Sequence, residues 1–195
     1  FRYLEKKAKV PFTFLDIPYE DDEASVAYLA DQLRNFAKDL ERKTGKKFEE
    51  QKLKEAIRIE NETRRELKKF FQYQSLHFYP GELISHLYLM MGMHLLIGTR
   101  EFLDLVRFMN EDIQTYPLFE GKKILWVHLM PFYQESLKEC FGYSKKYQIV
   151  GCDMSLDYAE EMDAEKPFEA LARKIIKNLF NGSYSFKAEN IEKLA

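Results

Sequence analysis

Apolar residues follow two rhythms along this chain, and the change from one to the other divides it. Between residues 23 and 43, Val26, Leu29, Leu33, Phe36, Ala37 and Leu40 recur at spacings of three and four. That period puts them on one face of a helix. Asp21-Asp22-Glu23 place negative charge where a helix N-terminus favours it, and Gly45 suits the C-terminal cap. A second amphipathic helix is expected from Glu49 to Leu76, with Leu53, Ala56, Ile57, Leu67, Phe70 and Phe71 on its stripe. Asn61 lies close to that stripe, where a buried amide needs partners. Pro80-Gly81 breaks the chain, an apolar helix covers 82–96, and Thr99 caps another over 100–112.

After the loop 113–121 the rhythm changes. Ile124 to Leu129 forms an unbroken apolar run around His128, which reads as a buried strand. A helix over 132–141 and a second strand from Tyr147 to Cys152 follow. Pro167 suits a helix start, and that helix is expected to reach Phe180. At the front, VPFTFLDIP is β-branched and aromatic and closes on Pro18, so a short strand is expected at 10–16.

The order is therefore strand, four helices, then strand, helix, strand, helix. Two strands joined through a helix open a parallel sheet. We expect an α/β chain in which a helical segment bridges two incomplete Rossmann-like parallel-sheet domains. Residues 1–20 would end the first, 21–120 form the bridge, and 121–195 begin the second. Phe1 to Lys7 reads as the tail of a helix already under way, and Ile191 to Ala195 as one just beginning. A piece of a longer protein is the expectation.

Composition narrows the class. Hydrophobic residues at 46% and charged residues at 32% suit a folded chain with a core. A net charge of −2 gives no electrostatic reason to expect nucleic acid or an anionic membrane as partner. The apolar run Leu83–Ile97 is shorter than the roughly 20 residues that cross a bilayer. Only Cys140 and Cys152 are present. That scarcity, with opening residues that do not read as a secretory signal, leads us to expect a cytoplasmic, reducing setting.

Candidate chemistry collects at the two strand ends, where ligands of open α/β sheets bind. The first turn, Leu129-Met130-Pro131-Phe132-Tyr133, has no glycine to let a phosphate approach the backbone. Its residues either wall an apolar pocket, with His128 or Tyr133 as the polar group inside, or pack against the bridging helices. The second turn brings Cys152, Asp153, Asp157, Glu160, Glu161 and Asp163, as a metal or acid–base set or as a solvated acidic loop behind a buried cysteine. His86 and His94 share a helix with Met90, Met91 and Met93, which suits a soft metal or a methionine-filled core. Arg64, Arg65, Lys68 and Lys69 alternate with glutamates, as on a solvated helix face. Cys140 is expected to be a packing residue. No Walker loop, nucleophile elbow or zinc signature is present.

The succession VPFTFLDIPY, LERKTGKKFEEQKLKEAIRIENETRREL, KKILWVHLMPFY and YAEEMDAEKPFEALARKII resembles the D-component family of 2-hydroxyglutaryl-CoA dehydratases, which includes benzoyl-CoA reductase subunits. The most specific stretch is Leu40 to Leu67, with its Thr44-Gly45-Lys46-Lys47 turn followed by Leu53, Ile57 and Asn61. The resemblance implies a two-domain subunit about twice this length and a second dehydratase-type subunit. It also implies a 4Fe–4S cluster held by cysteines and an ATP-dependent activator protein that supplies one electron. The substrate would be an acyl-CoA, dehydrated or reduced through a radical. The family's amino-terminal cluster cysteines would lie before Phe1. A further family cysteine falls where this chain has Cys152-Asp153-Met154-Ser155, and a glycine common before the turn proline is replaced by Leu129-Met130. The expected cleft residues are His128, Met130, Pro131 and Tyr133, with His128 or Tyr133 bonding a thioester carbonyl. The alternative is a non-catalytic subunit of the same fold.

Overall fold

A computed structural model describes residues 3, 6–7, 13–132, 135–155, 158, 160–178, 181 and 184–194. Helix α1 spans Glu23–Thr44. It begins where the Asp22 carboxylate accepts a 2.7 Å hydrogen bond from the Ser25 amide, and ends at Gly45, whose φ of 68° is left-handed. Helices α2 (Glu50–Leu76), α3 (Leu83–Leu95) and α4 (Arg100–Ile113) follow, α4 capped by the Thr99 hydroxyl. Strand β1 is Lys122–Trp126 and β2 is Tyr147–Cys152. Between them lie a 3-10 turn, Glu135–Leu137, and the single helical turn α5, Lys138–Phe141. A second 3-10 turn, Asp153–Ser155, precedes α6 (Pro167–Ile176) and α7 (Tyr184–Leu194).

The two strands pair in parallel, as their long connection requires. Ile124 faces Ile149, but Leu125 faces Gly151, so the register skips Val150. A Cβ on Gly151 would come within 3.3 Å of Leu125 Cδ1, so glycine leaves room for that step.

Three apolar clusters hold the elements. Helix α2 lies along α4, and the largest cluster joins Leu67 and Phe70 to Leu87, Met90, Phe102 and Val106 and to the sheet through Ile149. A second cluster fixes α1 to α6 through Val26, Leu29, Phe168 and Ile176, with Ala30 and Ala172 permitting close approach. A third joins Ile57 to Tyr158, Met162 and Ala170. No helix among the described residues is long and apolar enough to cross a membrane.

Several expectations are corrected. Residues 10–12 of the expected first strand lie outside the described residues, and Thr13 to Asp16 form no strand. Instead the Gln32 side chain accepts from the Asp16 amide at 2.9 Å and donates to the Asp16 carbonyl at 2.8 Å. A carboxamide has the donor and acceptor that a neighbouring strand would otherwise supply. The first sheet strand starts earlier than expected and stops at Trp126, because the backbone turns left-handed at His128. The expected helix 132–141 is only the 3-10 turn and α5. Most of its described residues are exposed, and among them only Leu137 and Phe141 pack on the core, too little apolar surface for a long helix. Helix α6 ends at Ile176 rather than Phe180, which lies outside the described residues.

Candidate functional site

The strand ends bring the two expected turns together. The chain leaves β2 at Cys152 and enters the 3-10 turn with Asp153, which is 1% exposed. Asp153 Oδ1 accepts a 2.6 Å hydrogen bond from the His128 amide on the neighbouring strand's turn. The His128 φ is 76°, a region that a residue with a Cβ enters only at a cost. The bend sorts the residues around it. Val127 is 52% exposed, Leu129 44% and Phe132 61%, whereas Met130 is 1% exposed and joins the core with Ile149 and Cys152.

The expected cleft residues are therefore placed differently from one another. His128 is exposed at the strand ends, Pro131 is half-buried beside it, and Met130 anchors the turn from the core side. Tyr133 lies outside the described residues. Helix α3 closes one side, where His94 Nε2 donates to the Met154 carbonyl at 2.9 Å.

The acidic residues of the second turn do not converge. Asp153 is buried, which corrects the view of a wholly solvated loop. Glu160 pairs with Lys177, Glu161 with Arg65, and the Asp163 carboxylate accepts from the Glu165 amide. Asp157 lies outside the described residues. Three of the four residues of the basic cluster, Arg64, Arg65 and Lys69, also have partners within the chain. Arg64 is largely covered, bonded to Glu60 and to the Tyr158 carbonyl, and Lys69 pairs with Glu66. Cys140, expected in packing, is exposed.

The residues present do not suit an iron–sulfur cluster. Such clusters take several thiolates. Among the described residues one thiol, that of Cys152, stands at the strand ends. Burial above all pushes its thiol up, and the Asp153 carboxylate adds to that, so it stays protonated at neutral pH. Ser155, three residues on, offers only a hydroxyl, a hard donor. Among the described residues, no three His, Cys, Asp or Glu side chains are grouped to hold a metal ion.

The methionine helix likewise disperses its candidates. Met90 and Met93 face the core, Met91 faces outward, and His94 serves the Met154 carbonyl. His86 turns inward against Tyr79, with ring centroids 5.1 Å apart, beside a small cavity lined by Ser144, Tyr147 and Gln148. Burial lowers its pKa to about 4. An unfolded chain would protonate this ring near 6.5, so between 6.5 and 4 the unfolded state binds the extra proton. Stability is therefore expected to fall as pH drops through that window, by about 2 kcal/mol once the ring's partial exposure is allowed for. Urea unfolding at pH 7 and pH 4 checks this, and His86→Gln should flatten the difference relative to the parent protein.

Two features of the site escaped the sequence reading. Asp153 was one acid among five, and only its position immediately after an apolar strand hinted at burial. The left-handed backbone of His128 had no signal, because glycine is the residue that ordinarily announces it.

With this geometry in view, comparison with known proteins places the chain. All of residues 1–195 match the family model described as 2-hydroxyglutaryl-CoA dehydratase, D-component. Over 91 residues the chain is 29% identical to (R)-2-hydroxyglutaryl-CoA dehydratase, subunit alpha, of Acidaminococcus fermentans, a match covering 43% of this chain and 19% of that protein. The chain thus spans about a fifth of the length of that curated relative. The family match over the whole length leads to one conclusion: this chain belongs to the 2-hydroxyglutaryl-CoA dehydratase D-component family.

Proposed function

We propose that this chain is part of a 2-hydroxyacyl-CoA dehydratase-type subunit and supplies the apolar side of an acyl-CoA cleft at the ends of β1 and β2. The observation that carries the reading is the exposed trio Val127, Leu129 and Phe132, on the same turn as the exposed His128, at the carboxyl ends of parallel strands. Exposed apolar surface at that edge suits a ligand that brings its own apolar arm. In this reading His128 donates to a thioester carbonyl, with Tyr133 as the second polar candidate. Pro131 excludes water, and Met130 fixes the turn from beneath. Residues 21–120 form the bridge between an α/β domain ending near residue 20 and a second beginning near 121, both Rossmann-like. A second subunit and an ATP-dependent activator complete the system, and a 4Fe–4S cluster is held by residues outside this chain.

A second reading, a non-catalytic subunit of the same fold, draws support from the buried, protonated Cys152 and from Ser155. Anaerobic purification of the full-length protein with its neighbour-encoded partner separates the two. Iron analysis and calorimetric titration with 2-hydroxyglutaryl-CoA should give bound iron and measurable affinity. His128→Ala should weaken binding about tenfold, the worth of one hydrogen bond. An iron-free complex with no affinity for the thioester selects the non-catalytic reading.

A further inference from the structure

We propose that Asp153 is a positioning residue for the turn at the strand ends. Through its bond to the His128 amide it sets the bend that divides the turn between core and surface. Left-handed backbone disfavours a residue with a Cβ by roughly tenfold or more, and His128 adopts it at φ 76°. Something outside the turn must supply the compensation. Among the described residues, the side-chain acceptor on that amide is Asp153 Oδ1, at 2.6 Å and 25 residues away in the chain. At that length it lies at the short end for a bond from N–H.

The carboxylate is expensive to keep where it stands. Asp153 is 1% exposed, its Oδ2 has no hydrogen-bond partner, and its other contact is a weak one from the Cys152 thiol at 3.8 Å. Buried polar atoms are ordinarily paired. A half-satisfied carboxylate is retained where its other oxygen does something that the site needs. Here that oxygen holds the left-handed His128, beyond which Leu129 stays partly outside and Met130 goes in. The residue after Asp153 is tied to α3, since His94 donates to the carbonyl of Met154. The assignment rests on backbone geometry and holds whether or not an acyl-CoA binds.

A glycine at position 128 would adopt the bend without outside help. The test is therefore a cycle of Asp153→Ala and His128→Gly in the full-length protein, read by hydrogen-exchange mass spectrometry on the peptide spanning residues 124–130. Asp153→Ala is expected to speed exchange about tenfold more in the parent than in the His128→Gly background. Equal acceleration in both backgrounds, within twofold, overturns the proposal, because a carboxylate serving only general burial would be felt alike in each. Should Asp153→Ala fail to fold, folding of the double variant supports the proposal and its failure to fold overturns it. Adding 2-hydroxyglutaryl-CoA to the same samples tests the functional reading separately. A thioester without effect on exchange counts against the cleft and leaves the coupling intact.

Discussion

Replacement of Gln148 by leucine is expected to cost the fold about 4 kcal/mol, because three backbone groups, one buried and two partly buried, lose partners that are worth about 1–3 kcal/mol each. Gln148 sits on β2 and is 5% exposed. Its Nε2 donates to the carbonyls of Gln74 at 2.7 Å and His77 at 2.8 Å, and its Oε1 accepts from the Tyr79 amide at 2.7 Å. The last turn of α2 needs this. The Phe78 amide, which would ordinarily return to the Gln74 carbonyl, donates instead to Pro117 at 2.8 Å. Leucine fills the same volume and satisfies none of the three groups. Gln148→Glu is the informative companion. It keeps the acceptor for Tyr79 but sets a carboxylate oxygen against two carbonyls, and should be no better than leucine. Urea unfolding of the full-length protein measures both. A loss below about 1 kcal/mol would mean that the end of α2 finds other partners, so that the clamp is incidental.

Asn61→Asp is expected to cost about 3 kcal/mol at neutral pH, through one buried bond turned repulsive and one charge left without a counterion. The Asn61 amide donates to the Met162 carbonyl at 2.8 Å and accepts from the Met162 amide at 2.9 Å. Aspartate keeps the second bond. Its other oxygen would face the carbonyl, lone pair to lone pair, at a position 8% exposed. Protonation restores a donor there, so the folded state should hold this proton more tightly than the unfolded chain. The gap between variant and parent is accordingly expected to narrow as pH falls below the usual carboxylate range. Denaturation measured in parallel at pH 7 and pH 4 checks both parts. A gap that stays constant or widens in acid would show that the carbonyl is not the group opposed. The residue matters because it docks the segment after the second strand onto α2, within the cluster of Ile57, Tyr158 and Met162.

Both residues show where sequence reading reaches and where it stops. Asn61 was legible as an amide beside an apolar stripe that must find partners. Its partner, 101 residues away, was not. Gln148 was passed over inside a strand, although a polar residue on a strand with a buried face carries the same message. At the site, the meeting of the two turns followed from a parallel sheet read in the sequence. That Met130 turns inward while Leu129 and Phe132 face outward did not follow, because the alternation of a strand had already ended at Trp126.

What the sequence determined by itself is the helical scaffold and the pairing of its two strands. Asp22, Gly45, Thr99 and Pro167 act on backbone groups within four residues of themselves, so their effect is written where they stand. What only the tertiary structure decided is where the polar groups trapped among apolar ones find their partners. Gln32 replaces a strand for Asp16, Gln148 finishes α2, and Asp153 bends His128. Each of these bonds joins residues far apart in the chain. The physical reason is that a local cap depends on a few dihedral angles, whereas a long-range hydrogen bond forms only after the hydrophobic clusters have brought its two ends together.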